Sequence, residues 1–222
     1  MAPIPKLKAT QSESARFANG PRDLCLNNSF TPREGTTLAL ENGEGYLKNI
    51  ILMAVRTILN YPDKRLTLQA AAVSSVNDEI RALVEDMAET MYAAPGVGLA
   101  APQIGVLLRI FVIDIAAENE PSQLRHFINP EIVEKSGVIA WEEGCLSFPG
   151  VTVEIERAEK ITVRALNAKG EPFELQADGL LAVAVQHEYD HLDGKLMTDR
   201  VSLLKRRMMD REMRKRTHES RP

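Results

Sequence analysis

Between Ser75 and Ala94 the apolar residues fall at Ile80, Leu83, Val84, Met87 and Met91. That spacing of three and four lines one face of a helix, with Ser75 or Asn77 placed to cap its start and Pro95 to close its end. The stretches RIFVIDI, INPEIV, VTVEIE and KITVRALNAKGEPFELQA are rich in β-branched residues and predict strands, the last folding back as a hairpin at Asn167 to Gly170. Asp178 and Gly179 then introduce LLAVAVQHEYDHL, too long and too evenly apolar for a strand, which predicts a second, buried helix. A third helix is expected over about 202–217. Its charge is one-sided, with Lys205, Arg206, Arg207, Arg211, Arg214, Lys215 and Arg216 against Asp210 and Glu212. Helices at both ends of a block of antiparallel strands define an α+β domain.

Residues 1 to about 45 show neither period, and PRDLCLNNSFTPREG reads as turns. The expected division is a flexible extension over 1–52 and a catalytic domain over 53–222 that includes the basic C-terminal helix. Met53 is a candidate true start. In 222 residues there is room for one domain with a full core. A hydrophobic fraction of 44% and a charged fraction of 26% are those of a soluble globular protein. The net charge of -4 provides no global attraction to nucleic acid or to an anionic membrane, so such a contact needs a local patch. No run reaches the roughly 18 apolar residues that cross a bilayer, and the first residues lack a signal peptide's apolar core. Membrane association and specific DNA binding are therefore not expected, and the cytoplasm is the expected location. Cys25 and Cys145 are the two cysteines, too few for a disulfide framework.

The chemistry concentrates in QHEYDHLDG, Gln186 to Gly194. Residues four apart on a helix share a face, so His187 and His191 can aim one imidazole nitrogen each at a common point, with Glu188 in reach of a water there. Such an ion needs a third protein ligand. One zinc-peptidase pattern has a third His where this chain has Met197, and a thioether is a poor ligand for a borderline divalent ion. Glu212 and Glu219 lie downstream in a basic tail. His126, His218 and Cys145 are the other donors, and Cys145 sits in EEGCLSFPG, where Gly144, Ser147, Pro149 and Gly150 mark a loop.

Three strings, GVGLAAPQ (96–103), EGCLS (143–147) and QHEYDHL (186–192), strongly resemble in order and type the signature motifs of the peptide deformylase family. GVG alone reads as a turn. The resemblance runs from about Met53 to the C-terminal helix. It implies antiparallel strands packed around a central metal-binding HExxH helix, and a hydrolase that removes the N-formyl group from N-formylmethionyl nascent peptides and releases formate. It makes Cys145, His187 and His191 the metal ligands and Glu188 the general acid/base. Gln103, through its side-chain amide, and Leu146, through its backbone N–H, would face the oxyanion, and Gly98 would let substrate backbone approach. Val97, Trp141, Leu180, Val183 and Ala184 would line the methionine pocket. One divalent ion is implied, Fe2+ in cells, with Zn2+, Ni2+ or Co2+ accepted. The resemblance also suggests ribosome docking through the basic C-terminal helix, so that truncation after Leu203 is expected to spare hydrolysis of a short peptide.

Overall fold

Helix α1 (Asp78–Ala93) begins where a side chain can replace a missing helical partner: Asn77 Oδ1 accepts the Ile80 N–H at 3.0 Å. Of the two candidate caps, Asn77 is the one used, so the helix starts three residues later than the earlier of them. The protein is described by a computed structural model covering residues 54–117 and 120–219, with the side chains of 217–219 excepted. The expected extension and Met53 lie outside the described residues, and Ala54 onward belongs to one structural unit.

After α1 come β1 (Gly98–Ala100), β2 (Ile110–Ile113), β3 (Arg125–Ser136), β4 (Ile139–Gly144), β5 (Thr152–Arg157), β6 (Lys160–Leu166) and β7 (Pro172–Asp178). Helices α2 (Gly179–Leu192) and α3 (Leu203–Glu219) follow. The strands form a five-stranded sheet in the order β1-β2-β3-β6-β7 and a separate β4-β5 pair, each pairing antiparallel. The α+β architecture expected from the hydrophobic pattern is the one observed.

Strand β2 shows why one apolar run serves two layers. Successive side chains point to opposite faces. Ile110 and Val112 pack with Val84, Met87 and Met91 of α1, while Phe111 and Ile113 pack with Ala182, Val185 and Leu192 of α2. The sheet is thus covered on both faces, and all four residues of β2 are buried. Helix α2 packs on β1, β2, β6 and β7 and is followed, after its C-cap Asp193, by Gly194, whose φ of +68° favours glycine and where an added Cβ would sit 2.6 Å from Thr67 O.

Two departures from the sequence reading matter. GVG does not end in a turn, because Gly98–Ala100 pairs with Phe111–Ile113 as edge strand β1. Helix α3 is more than a charged surface. Met209 and Met213 are buried in a cluster with Phe148, Val153, Ile155, Leu196 and Met197, with Cys145 packed against it. Tyr61 stacks on Phe148 at 4.8 Å and donates its hydroxyl to Asp210 Oδ1 at 2.6 Å. Truncation after Leu203 would remove two core methionines, so α3 is not separable from the site as the charge pattern suggests. Among the described residues no helix is long and apolar enough to cross a membrane.

Candidate active site

Residues 183–188 of α2 are all buried, and the helix carries His187 and His191 into the interior at 8% and 1% exposure. Cys145 stands at the first position after β4, where Phe148 N–H returns to Cys145 O at 2.9 Å and closes a turn. The result is one group of metal-ligating side chains among the described residues: one donor atom each from Cys145, His187 and His191 lies within 4.8 Å of the others. Cys145 Sγ is 3.3 Å from His191 Nε2. A tetrahedral ion bound at ordinary lengths to a thiolate and an imidazole holds them about 3.6 Å apart, so this pair fits an ion. The other predicted donors do not join the group. His126 lies on β3 opposite Val112, and the side chain of His218 lies outside the described residues.

The surroundings tune these groups. His187 Nδ1 donates to Glu143 Oε2 at 2.8 Å, which leaves Nε2 to face the group. Glu143 is buried, which by itself would raise its pKa, but Arg157 and His187 outweigh burial and hold it below the ordinary range. Arg157 donates to Glu143 from Nε at 2.7 Å and Nη2 at 2.9 Å, and its Nη1 reaches Asp190 Oδ2 at 2.5 Å. Asp190 also takes Arg200, whose Nε lies at 2.9 Å. Burial pushes the Cys145 thiol up, yet the neighbouring His191 and His187 bring it down to about 5, so the sulfur is a thiolate at neutral pH.

Glu188 differs. Burial pushes it up to about 7, and its Oε2 is buried without a hydrogen-bond partner, as is His191 Nδ1. Its carboxyl lies against Gly98, where an added Cβ would be 2.5 Å from Glu188 Oε1. A Cβ on Gly96 would meet Leu146 Cδ1 at 2.7 Å. The three sequence strings therefore interlock, the glycines of the first making room for residues of the other two. Gln103, 1% exposed, donates from Nε2 to Cys145 Sγ at 3.5 Å and to Ser147 Oγ at 3.3 Å.

The five predicted pocket residues come from two elements and from the residue that precedes a third. Leu180, Val183, Ala184 and His187 follow the three- and four-residue spacing of one α2 face, and Ala184 also belongs to the core cluster around Phe111. Trp141 shares its β4 face with Glu143, two residues on, and Val97 is half exposed immediately before β1. The sequence assigns no chemical role to Glu143, Arg157, Asp190 or Ser147, although Glu143 and Ser147 lie within the EGCLS string. Alternation carried a signal for Arg157, which follows Val153 and Ile155 on the buried side of β5. Asp190, three residues after His187, shares its side of α2.

An α+β fold that gathers a thiolate and two imidazoles beside a buried, unpaired carboxylate defines a class, the metal-dependent hydrolases. Within it, the model of the polypeptide deformylase family matches residues 55–207, and the chain belongs to that family. Peptide deformylase 1 of Burkholderia multivorans is 53% identical over 164 residues, covering 73% of this chain and 90% of the relative. The crystal structure of a peptide deformylase from Legionella pneumophila is 48% identical with a TM-score of 0.71, covering 76% of this chain and 100% of that one. The peptide deformylase of Ehrlichia chaffeensis in complex with actinonin is 39% identical with a TM-score of 0.71, covering 77% of this chain and 100% of that one.

Proposed function

We propose that the domain over 53–222 hydrolyses the formamide of N-formylmethionine at the start of newly made polypeptides, releasing formate and a free α-amine. The observation that carries this is the unpaired carboxylate of Glu188 buried beside the Cys145, His187 and His191 donors. Cys145 Sγ, His187 Nε2 and His191 Nε2 would hold one divalent ion. When bound, the ion supplies Lewis acidity, polarising the formyl carbonyl and making water a competent nucleophile near neutral pH. Glu188 takes a proton from the attacking water and delivers it to the amine nitrogen as the C–N bond breaks. Its lack of a competing partner keeps it available for both transfers. Gln103 Nε2 and the Leu146 backbone N–H donate to the oxygen on which charge builds, and being fixed in advance they need no reorganisation. Gly98, with no side chain on an edge strand, lets the peptide backbone come close to Glu188. The methionine side chain is assigned to Val97, Trp141, Leu180, Val183 and Ala184, all apolar as an unbranched thioether requires.

A thiolate among the ligands suits Fe2+ in cells as well as Zn2+, Ni2+ or Co2+, and leaves the sulfur open to oxidation. The cytoplasm, where nascent chains emerge, is the assigned location. We also assign ribosome docking to α3, whose Lys205, Arg207, Arg211 and Arg214 are exposed. Contacts of that kind to phosphate weaken as salt rises.

The deciding experiment compares formyl-Met-Ala-Ser with acetyl-Met-Ala-Ser and with a blocked internal peptide bond, anaerobically with added Fe2+. Formate release from the first alone is expected; cleavage of the internal bond at a comparable rate would assign a peptidase instead.

A further inference from the structure

Gln103 is held through both its side chain and its backbone. Side-chain Oε1 accepts the Ala100 N–H at 2.7 Å, and the backbone carbonyl accepts the Leu59 N–H at 2.7 Å. An inverted amide would set two donors against each other at Ala100, so Nε2 is committed to the opposite side. There it carries two hydrogens. One acceptor is Ser147 Oγ at 3.3 Å, and the other neighbour is Cys145 Sγ at 3.5 Å, on the side of the candidate metal centre.

Ser147 is itself fixed. Its residue is 0% exposed, and its carbonyl accepts the Tyr61 N–H at 2.9 Å. The segment from Leu59 to Tyr61 therefore splints together the turn that carries Gln103 and the loop that carries Ser147. The Ser147 hydroxyl is thus a buried acceptor on an anchored loop, beside an amide of fixed polarity. By taking one Nε2 hydrogen it leaves the other a single direction, toward the group of Cys145, His187 and His191.

We propose that Ser147 is a positioning residue for deformylation: its hydroxyl aims the Gln103 carboxamide so that the second Nε2 hydrogen meets the developing oxyanion. The proposal rests on the reading of Gln103 as an oxyanion donor. Without Oγ the amide keeps its Ala100 anchor but can turn about it, toward or away from the sulfur. Such a misaimed donor loses part of what its removal would lose. Removal of an oxyanion donor costs on the order of 10²–10³ in kcat, and misaiming is expected to cost about 10-fold.

The test is a double-mutant cycle on the metal-loaded enzyme, with kcat and KM for formyl-Met-Ala-Ser measured for wild type, Ser147→Ala, Gln103→Ala and the double variant. Metal content and thermal midpoint are recorded for each. Ser147→Ala is expected to lower kcat about 10-fold with KM within about twofold and metal retained. In the Gln103→Ala background the same change is expected to have almost no effect, because there is no amide left to aim. A loss of equal size in both backgrounds would mean that Ser147 acts through loop packing and would overturn the proposal, as would a wild-type kcat for Ser147→Ala. If Gln103→Ala itself keeps wild-type kcat, the oxyanion reading fails, and with it the role of Ser147. A large loss in Gln103→Ala with none in Ser147→Ala removes only the positioning role.

Discussion

Glu143 and Glu188 are both buried and both feel the charge of His187, yet they are treated in opposite ways. Glu143 accepts from His187 and from two nitrogens of Arg157, and is held ionised. Glu188 has an oxygen with no partner and is pushed up to about 7 by burial. A buried charge costs several kcal/mol unless paired. The chain meets that cost at Glu143 with a run of alternating charge through Arg157 and Asp190 to Arg200, which is 39% exposed. At Glu188 it leaves the cost standing. The difference separates structure from chemistry: a carboxylate that fixes a ligand must be unable to move its charge, and one that shuttles a proton must not be held by a competing partner.

Breaking that contrast should give unlike failures. Glu188→Ala is expected to lower kcat by about 10²–10⁴-fold, the usual worth of a positioned general acid/base. Because it removes an unsatisfied buried oxygen, its unfolding free energy is expected to stay within about 1 kcal/mol of wild type or to rise, and its metal content to be unchanged. Activity with metal bound, compared with urea denaturation, checks both halves; near-normal turnover would return Glu188 to an ordinary core residue.

Arg157→Leu should fail the other way. Glu143 and Asp190, at 3% and 8% side-chain exposure, would lose the cation between them, and breaking one member out of a buried ion pair costs about 3–5 kcal/mol. His187 would lose its rigid acceptor, so metal affinity is expected to fall about 10- to 100-fold, the usual effect of disturbing a ligand's hydrogen-bond partner. Denaturation of the metal-free protein and competition with a chelator separate the two effects. Unchanged stability would show that the charge run is not held by Arg157.

Much of this contrast was written in the sequence and some of it was not. The helix under the site was legible because LLAVAVQHEYDHL, Leu180 to Leu192, is too long and too evenly apolar for a strand, and the His pair lies in register on it. The hairpin at Asn167 to Gly170 was legible because its turn chemistry is local: Asn167 Oδ1 accepts from the N–H groups of Lys169 and Glu171. Strand β1 was not, since three residues carry no period and become a strand only through β2. Strand β4 was hidden for a related reason, its inward Glu143 reading as a polar break until the side chain of Arg157 reaches it from β5. The core role of α3 was masked by charge, two inward methionines being outnumbered by the cations around them. Ser147 is locally a loop residue, and nothing local shows that its hydroxyl meets Gln103 forty-four residues away.

The smallest effect is expected at a third paired carboxylate, one that is only half buried. Asp210 accepts the Tyr61 hydroxyl at 2.6 Å. Burial, then the bond to Asp210, raises the tyrosine to about 12. Water can reach this pair, so an abandoned Asp210 would be resolvated rather than stranded, unlike Glu143. Tyr61→Phe, which keeps the ring on Phe148, is therefore expected to cost only about 0.5–1.5 kcal/mol. The sign with pH follows from the raised value. The folded state favours the neutral phenol, so this bond's contribution is complete below the unfolded tyrosine's ordinary pKa of about 10 and is lost as pH rises through about 12. Urea denaturation of both proteins at pH 7 and at steps from pH 9 upward reads it directly. The gap between them should be constant up to about pH 10 and shrink above it. A loss as large as that from Arg157→Leu would mean that water does not rescue Asp210, and that partnering rather than burial sets what a lost ion partner costs in this protein.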